Sequence, residues 1–346
     1  MNSFLIKSLI PILVFSGVLF ENDLFAQESL KPLRLNQGDT IGLIAPGWLI
    51  SEKQLQESIE QISQLGFVPV YTERILGENG YFSGTDEQRA ADLNEMFLNP
   101  QIKAIVCANG GYGCTRILDL IDYKAIKENP KIVIGYSDVT ALLNAINQKT
   151  GLIIFHGPIS RTFKSDYSKY QFEKIVKKTV KHLLIESSPE YLEKSKEQEE
   201  YKRYTITSGK AKGELIGGNL TLITSMIGTK YQLDFTKKIV LIEDIGEEPY
   251  RIDRMLTQLI ETGELQKARG IAFGIMRGCD KTLESKAPNS FTLQEVIEER
   301  IKPLNIPAVY GLSFGHLSNS FTFPIGIEAE LDADKMVIKL LEKVVE

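Results

Sequence analysis

The stretch KIVIGYSDVTALLNAI, Lys131–Ile146, decides the fold. Ile132 to Ile134 form a β-branched apolar run, Gly135 follows, and Val139, Leu142, Leu143 and Ile146 recur at the i, i+3, i+4, i+7 spacing of one helix face. A buried strand therefore turns tightly into a helix, with Ser137 and Asp138 at the junction. Two readings of Ser137 stand side by side. As an N-cap, its hydroxyl accepts a hydrogen bond from a free helical N–H, worth about 1 kcal/mol. As a nucleophile, its Oγ is lifted above the sheet, next to helix N–H groups that favour a nascent anion. The stretch is not G-x-S-x-G, so that fingerprint does not choose between them.

The neighbouring sequence repeats the strand-then-helix rhythm. A strand from Thr40 to Ala45 precedes Pro46 and Gly47, and a helix runs from about Ser51 to Leu65. FVPVYT, a helix around Asp86 to Phe97, and IKAIVCANG continue the alternation. Such alternation predicts a parallel sheet covered on both faces, with ligands bound beyond the carboxyl ends of its strands. From about Lys164 to Lys210 the sequence is charged, tyrosine-bearing and poor in apolar runs, which reads as a linker or mobile cover. The rhythm resumes at GELIGGNLTLITSMIGT and predicts a second α/β domain. The boundaries are thus a nucleophile domain at 30–163, a linker or cover at 164–210 and a C-terminal domain at 211–346.

At 346 residues, 43% hydrophobic and 25% charged, the chain is long enough for two cores. Its formal net charge of -5, with no long basic block, points away from nucleic acid and toward a small-molecule or peptide partner. The N-terminus carries Lys7, an apolar run from Leu9 to Phe20 and Ala26 before Gln27. This predicts a signal peptide over 1–26, and hence export to the periplasm, with an uncleaved membrane anchor as the alternative. The run falls short of the roughly 20 residues a spanning helix needs, so no stable span is expected in the mature chain. Cys107, Cys114 and Cys279 form neither a disulfide framework nor a zinc pattern; they read as buried free thiols, with one Cys107–Cys114 bridge as the alternative in an exported chain. The histidines, His156, His182 and His316, are scattered, so no metal site is expected.

Three further stretches carry chemistry. ANGGYGC follows a strand and supplies Gly110, Gly111 and Gly113; it lacks the spacing of a dinucleotide loop and the lysine of a phosphate loop, but its backbone N–H groups suit an oxyanion. IVLIEDIGEE runs a buried strand directly into Glu243, a carboxylate that needs a partner where it is not solvated. GLSFGHLSNSFTFPIG places His316 on a loop before a strand. Ser137, Glu243 and His316 then suit a triad in which histidine is the base, glutamate fixes its tautomer and serine attacks.

Taken together, NGGYG, GYSDVTALL, FHGP, GGNLTLI, EDIGEEPYRIDRML and GHLSNSFTFPIG resemble the LD-carboxypeptidase family of serine peptidases, which includes muropeptide carboxypeptidases and microcin C immunity hydrolases. The likeness runs from about Leu35 to the C-terminus. It implies an N-terminal Rossmann- or flavodoxin-like parallel-sheet domain and a C-terminal α/β domain, with the active site in the cleft between them. It implies Ser137 as nucleophile, Glu243 as acid, His316 as general base, and the backbone N–H groups of Gly111 and Asp138 as the oxyanion hole. The implied reaction removes the terminal D-alanine of a murein tetrapeptide through an acyl-enzyme, without cofactor or metal, usually in a homodimer.

A carboxypeptidase also needs a cation or hydrogen-bond donors for the free carboxylate; Arg116, Arg251 and Arg254 are candidates, with a surface or interface ion pair as the other reading of each. Two departures from the family pattern stand out: the apparent signal peptide, and Cys114 in place of a small polar residue. Two other functions compete with the first. One is a peptidyl-nucleotide hydrolase of the microcin C immunity type. It calls for an aromatic from the middle segment to stack a nucleobase; Trp48 lies far from that segment in sequence, leaving Tyr191, Tyr201 or Tyr204. The other is a murein-peptide binding protein without catalysis.

Overall fold

A computed structural model describes residues 29–281 and 289–346; the expected signal peptide, 1–26, lies outside them. The first sheet is built from β1 (Thr40–Ile44), β2 (Val68–Val70), β3 (Ile102–Cys107), β4 (Ile132–Gly135) and β5 (Ile154–His156). These strands pair in parallel in the order β5-β4-β3-β1-β2. This is the doubly wound flavodoxin-like order, and it places a topological switch point between β1 and β3. Ile132, Val133 and Ile134 of β4 and the Leu142, Leu143 and Ile146 face of the following helix, Val139–Thr150, have no exposed surface. A strand covered on both faces has no polar side to present, which is why it reads as an unbroken apolar run.

The second sheet has eight strands: β6 (Leu184–Ile185), β7 (Tyr204–Thr207), β8 (Lys210–Asn219), β9 (Ile239–Glu243), β10 (Gly270–Gly274), β11 (Ala308–Leu312), β13 (Glu328–Asp332) and β14 (Val337–Leu340), with β12 (Phe323–Ile325) going to the first sheet. The central strands β8, β9, β10 and β11 are mutually parallel, and antiparallel strands complete both sides.

Connectivity crosses the expected boundaries in both directions. The stretch 164–210, read from sequence as a linker or cover, supplies the helix Asp166–Val176 and both edge strands of the second sheet, β6 and β7. Its charge is the signature of an edge, where one side faces water. Conversely, β12 leaves the C-terminal part and pairs antiparallel with β5, at Phe323↔His156 and Ile325↔Ile154.

Buried hydrogen bonds also join the two sheets. Asn144 Nδ2 donates to the Gly217 carbonyl at 2.9 Å, and the Asn219 N–H donates to Thr140 Oγ1 at 3.0 Å. The helix that follows Ser137 is thereby docked on β8. Its approach is so close that a Cβ on Gly218, at φ +134°, would stand 2.5 Å from Thr140 Oγ1.

Candidate active site

The helix after β4 begins at Val139, and its N-cap is Asp138, which makes no side-chain capping bond. Ser137 stands one residue further upstream at φ 64°, a left-handed conformation that side chains other than glycine rarely hold. Its neighbour across the turn is the glycine loop after β3: a Cβ on Gly110 would lie 3.2 Å from Ser137 Cβ. A side chain at that position would crowd the serine by a few tenths of an ångström.

The loop also orients N–H groups. The Gly110 carbonyl accepts from the Trp48 N–H at 3.0 Å, so in the trans peptide the Gly111 N–H points to the opposite side. Neither this N–H nor that of Asp138 donates to another backbone group among the described residues. The Asp138 side chain is buried and turned inward, its Oδ2 accepting from the Cys114 N–H at 2.8 Å, and burial pushes its carboxyl up. Cys114 therefore joins the site through its backbone, and its buried thiol is free, as are those of Cys107 and Cys279.

Glu243 closes β9, one strand from β8 in register with Asn219, and has no exposed surface. Its Oε2 lies 2.7 Å from His316 Nδ1. The loop carrying His316 passes so near that a Cβ on Gly315, at φ +101°, would fall 2.6 Å from the same oxygen. Burial pushes the Glu243 carboxyl up, but the facing His316 outweighs it and holds the carboxylate below its ordinary range. For His316, burial disfavours the imidazolium, yet Glu243 prevails and the pKa is raised above the ordinary histidine value. The pair thus supports a proton-accepting imidazole whose Nδ1–H is fixed by a carboxylate, leaving Nε2 for work.

Behind this pair sits His156, fully buried, stacked on Phe323 at 4.6 Å and with Nε2 3.9 Å from the second Glu243 oxygen. Burial pushes His156 down to about 4, so it is neutral near pH 7. Tyr136 packs edge-on against both rings, 4.8 Å from His316 and 6.4 Å from His156.

Ser137 and His316 open onto one cavity of about 370 Å³, also lined by Trp48, Gly111, Tyr136 and Arg161. It lies at the carboxyl ends of β1, β3 and β4, where a doubly wound sheet binds its ligands. All five residues singled out from the sequence, Ser137, Glu243, His316, Gly111 and Asp138, converge on this region. The candidate cations do not. Arg116 pairs with Asp86, Arg251 with Glu247, and Arg254 is exposed on the Pro249–Glu261 helix. The arginine on the cavity is Arg161, on the turn after β5, where sequence reading marked only the preceding FHGP.

Trp48 likewise reaches the cavity, because the end of β1 stands beside the end of β3. By contrast Tyr191 and Tyr201 are buried and stacked on each other at 5.1 Å, and Tyr204 stacks on Tyr310 at 5.2 Å.

Comparison with known proteins gives the family. A model of the LD-carboxypeptidase N-terminal domain matches residues 41–157, and one of the LD-carboxypeptidase C-terminal domain matches residues 212–331. A probable murein peptide carboxypeptidase of Bacillus subtilis is 40% identical over 309 residues, covering 89% of this chain and 93% of that protein.

The chain belongs to the LD-carboxypeptidase family.

Solved members share the architecture. The microcin C7 self-immunity protein MccF in its apo state superposes with a TM-score of 0.80 at 28% identity, covering 92% of this chain and all (100%) of that one. A muramoyltetrapeptide carboxypeptidase from Oxalobacter formigenes superposes at 0.72 and 28%, covering 87% and 97%. As an LD-carboxypeptidase family member the chain is a hydrolase of the carboxypeptidase type, and the two-domain α/β fold expected from its sequence is the fold of these relatives.

Proposed function

We propose that this LD-carboxypeptidase releases the terminal D-alanine from murein tetrapeptides, cutting after the L-centre of the diamino acid, in peptidoglycan turnover or recycling. The observation that carries the reading is that His316, held by Glu243 at 2.7 Å, shares a cavity with a left-handed Ser137. His316 Nε2 takes the proton of Ser137 Oγ as it attacks the peptide carbonyl. The oxyanion rests on the N–H groups of Gly111 and Asp138, which no other backbone group among the described residues engages. His316 then protonates the departing D-alanine amine, and the acyl-enzyme is hydrolysed by water that the same imidazole activates. The proposal extends to export of the chain after loss of residues 1–26, with action in the periplasm, and to a homodimeric assembly like that implied by the family resemblance.

The test is mass spectrometry of a murein tetrapeptide incubated with residues 27–346 or with the Ser137→Ala variant. Loss of one alanine with the parent alone supports the reading; a folded parent that releases none rejects it.

One observation favours a second reading, hydrolysis of a peptidyl nucleotide. Trp48 is 48% exposed on the cavity, which suits base stacking, and the fold matches MccF. The three tyrosines named as alternatives are held in packing, so Trp48 carries this reading alone. Product analysis on an aminoacyl sulfamoyl nucleoside separates the two; binding without turnover of either compound would leave a murein-peptide binding protein.

A further inference from the structure

Arg161 lies on the turn Ser160–Thr162, directly after β5. β5 pairs with β4, the strand that leads into Ser137, so the two residues rise from adjacent strand ends. Its guanidinium has five N–H donors, and the structure assigns few of them. Nη2 donates to Asn109 Oδ1 at 3.1 Å, while Nε is buried with no acceptor among the described residues. Asn109 is itself fixed, since its Nδ2 donates to the Leu49 carbonyl at 3.2 Å.

Among the described residues, Arg161 is, histidine apart, the charged side chain on the cavity lining, and no carboxylate lines it. A half-buried guanidinium that lacks a counter-ion is costly, and its planar fork suits two parallel bonds to one carboxylate. We propose that Arg161 anchors the free terminal carboxylate of the substrate and so makes the enzyme a carboxypeptidase. This rests on the reading of the cavity as a murein-peptide site. The anchored carboxylate belongs to the leaving D-alanine, whose amine must lie beside His316 on the same lining.

Calorimetric binding to the Ser137→Ala protein tests this with two ligands, L-Ala-γ-D-Glu-L-Lys-D-Ala and its C-terminal amide. The acid is expected to bind roughly 30-fold or more tightly than the amide, the loss typical when a buried charge pair is broken. Adding Arg161→Gln should erase that preference and leave amide binding unchanged, while Arg161→Lys should keep part of it.

Equal binding of acid and amide, or a preference that survives Arg161→Gln, overturns the proposal. So does a preference that appears only when a diaminopimelate replaces lysine, since the arginine would then serve the side-chain carboxylate. Alanine release by wild type separates the two levels. Release together with an acid–amide preference independent of Arg161 rejects the anchor and keeps the murein reading; no release and no binding reject both.

Discussion

Ser137 holds a φ of 64°, which costs an L-residue about 1–2 kcal/mol. Glycine pays no such penalty, so Ser137→Gly should melt higher than Ser137→Ala, by on the order of 1 kcal/mol, while both lose about 10⁴-fold or more in kcat. Equal melting of the two variants would contradict the strained turn. At the same scale, His316 must be neutral to accept a proton, and Glu243 raises its pKa. The acid limb of kcat/KM should therefore lie above the ordinary histidine value of about 6.5 and move down in Glu243→Gln. His156, near 4, stays neutral through that range and should add no second limb.

The pair also links stability to pH. The raised His316 contributes stability below its unfolded pKa, lost as pH rises through the folded one. The lowered Glu243 contributes stability above its unfolded value, lost as pH falls through the folded one. Thermal melts of wild type minus Glu243→Gln across pH should peak between these limits.

Two members of the proposed triad were legible in sequence because they stand at the end of an apolar run, Ser137 after Ile132–Ile134 and Glu243 after Ile239–Ile242, while His316 on its loop stood out only as one of three histidines. Arg161 was not, since nothing in RTFK distinguishes a loop arginine facing a cavity from one facing water. Trp48 was discounted for its sequence distance, which a parallel sheet makes irrelevant when β1 and β3 are neighbours.

Among the elements, the decisive one is β8, which holds the helix after Ser137 on one side and Glu243 on the other. A methyl at Gly218 would collide with Thr140 and push these partners apart. Gly218→Ala should lower kcat more than it raises KM, measured on the tetrapeptide, because it displaces the base from the nucleophile. Thr140→Val leaves the buried Asn219 N–H without its acceptor and should cost about 1–3 kcal/mol in denaturant unfolding.

The central strands announced themselves as apolar runs. The edge strands did not: β6 has two residues and β7 four, set in a charged stretch with no face to alternate. Length and pattern carried no signal there, and pairing to β14 and β11 supplied the structure instead. The same holds for β12, whose FPI segment looks like part of the histidine loop until β5 is placed beside it.

At the scale of the molecule, the two sheets are not separate folding units. β12 completes the first sheet from residues 323–325, and the C-terminal Glu346 exchanges backbone bonds with Pro32 and Arg34. Residues 30–163 expressed alone would leave the β5 edge bare and Phe155 and His156 short of their cover. That fragment should aggregate or bind hydrophobic dye, and the intact protein should show a single calorimetric transition with equal van't Hoff and calorimetric enthalpies. Two resolved transitions would show that the sheets melt independently. Sequence pattern suggested two units because each half has its own alternation; the crossing strand is too short to reveal that they share a border.

That crossing strand also sets a clock on synthesis. The first sheet cannot receive its sixth strand until residue 325 has left the ribosome, whatever the earlier strands have done. A nascent chain therefore holds the central strands of both sheets before the first sheet is complete. In a chain exported as proposed, the late strand would postpone completion of the first sheet on the side where it is made.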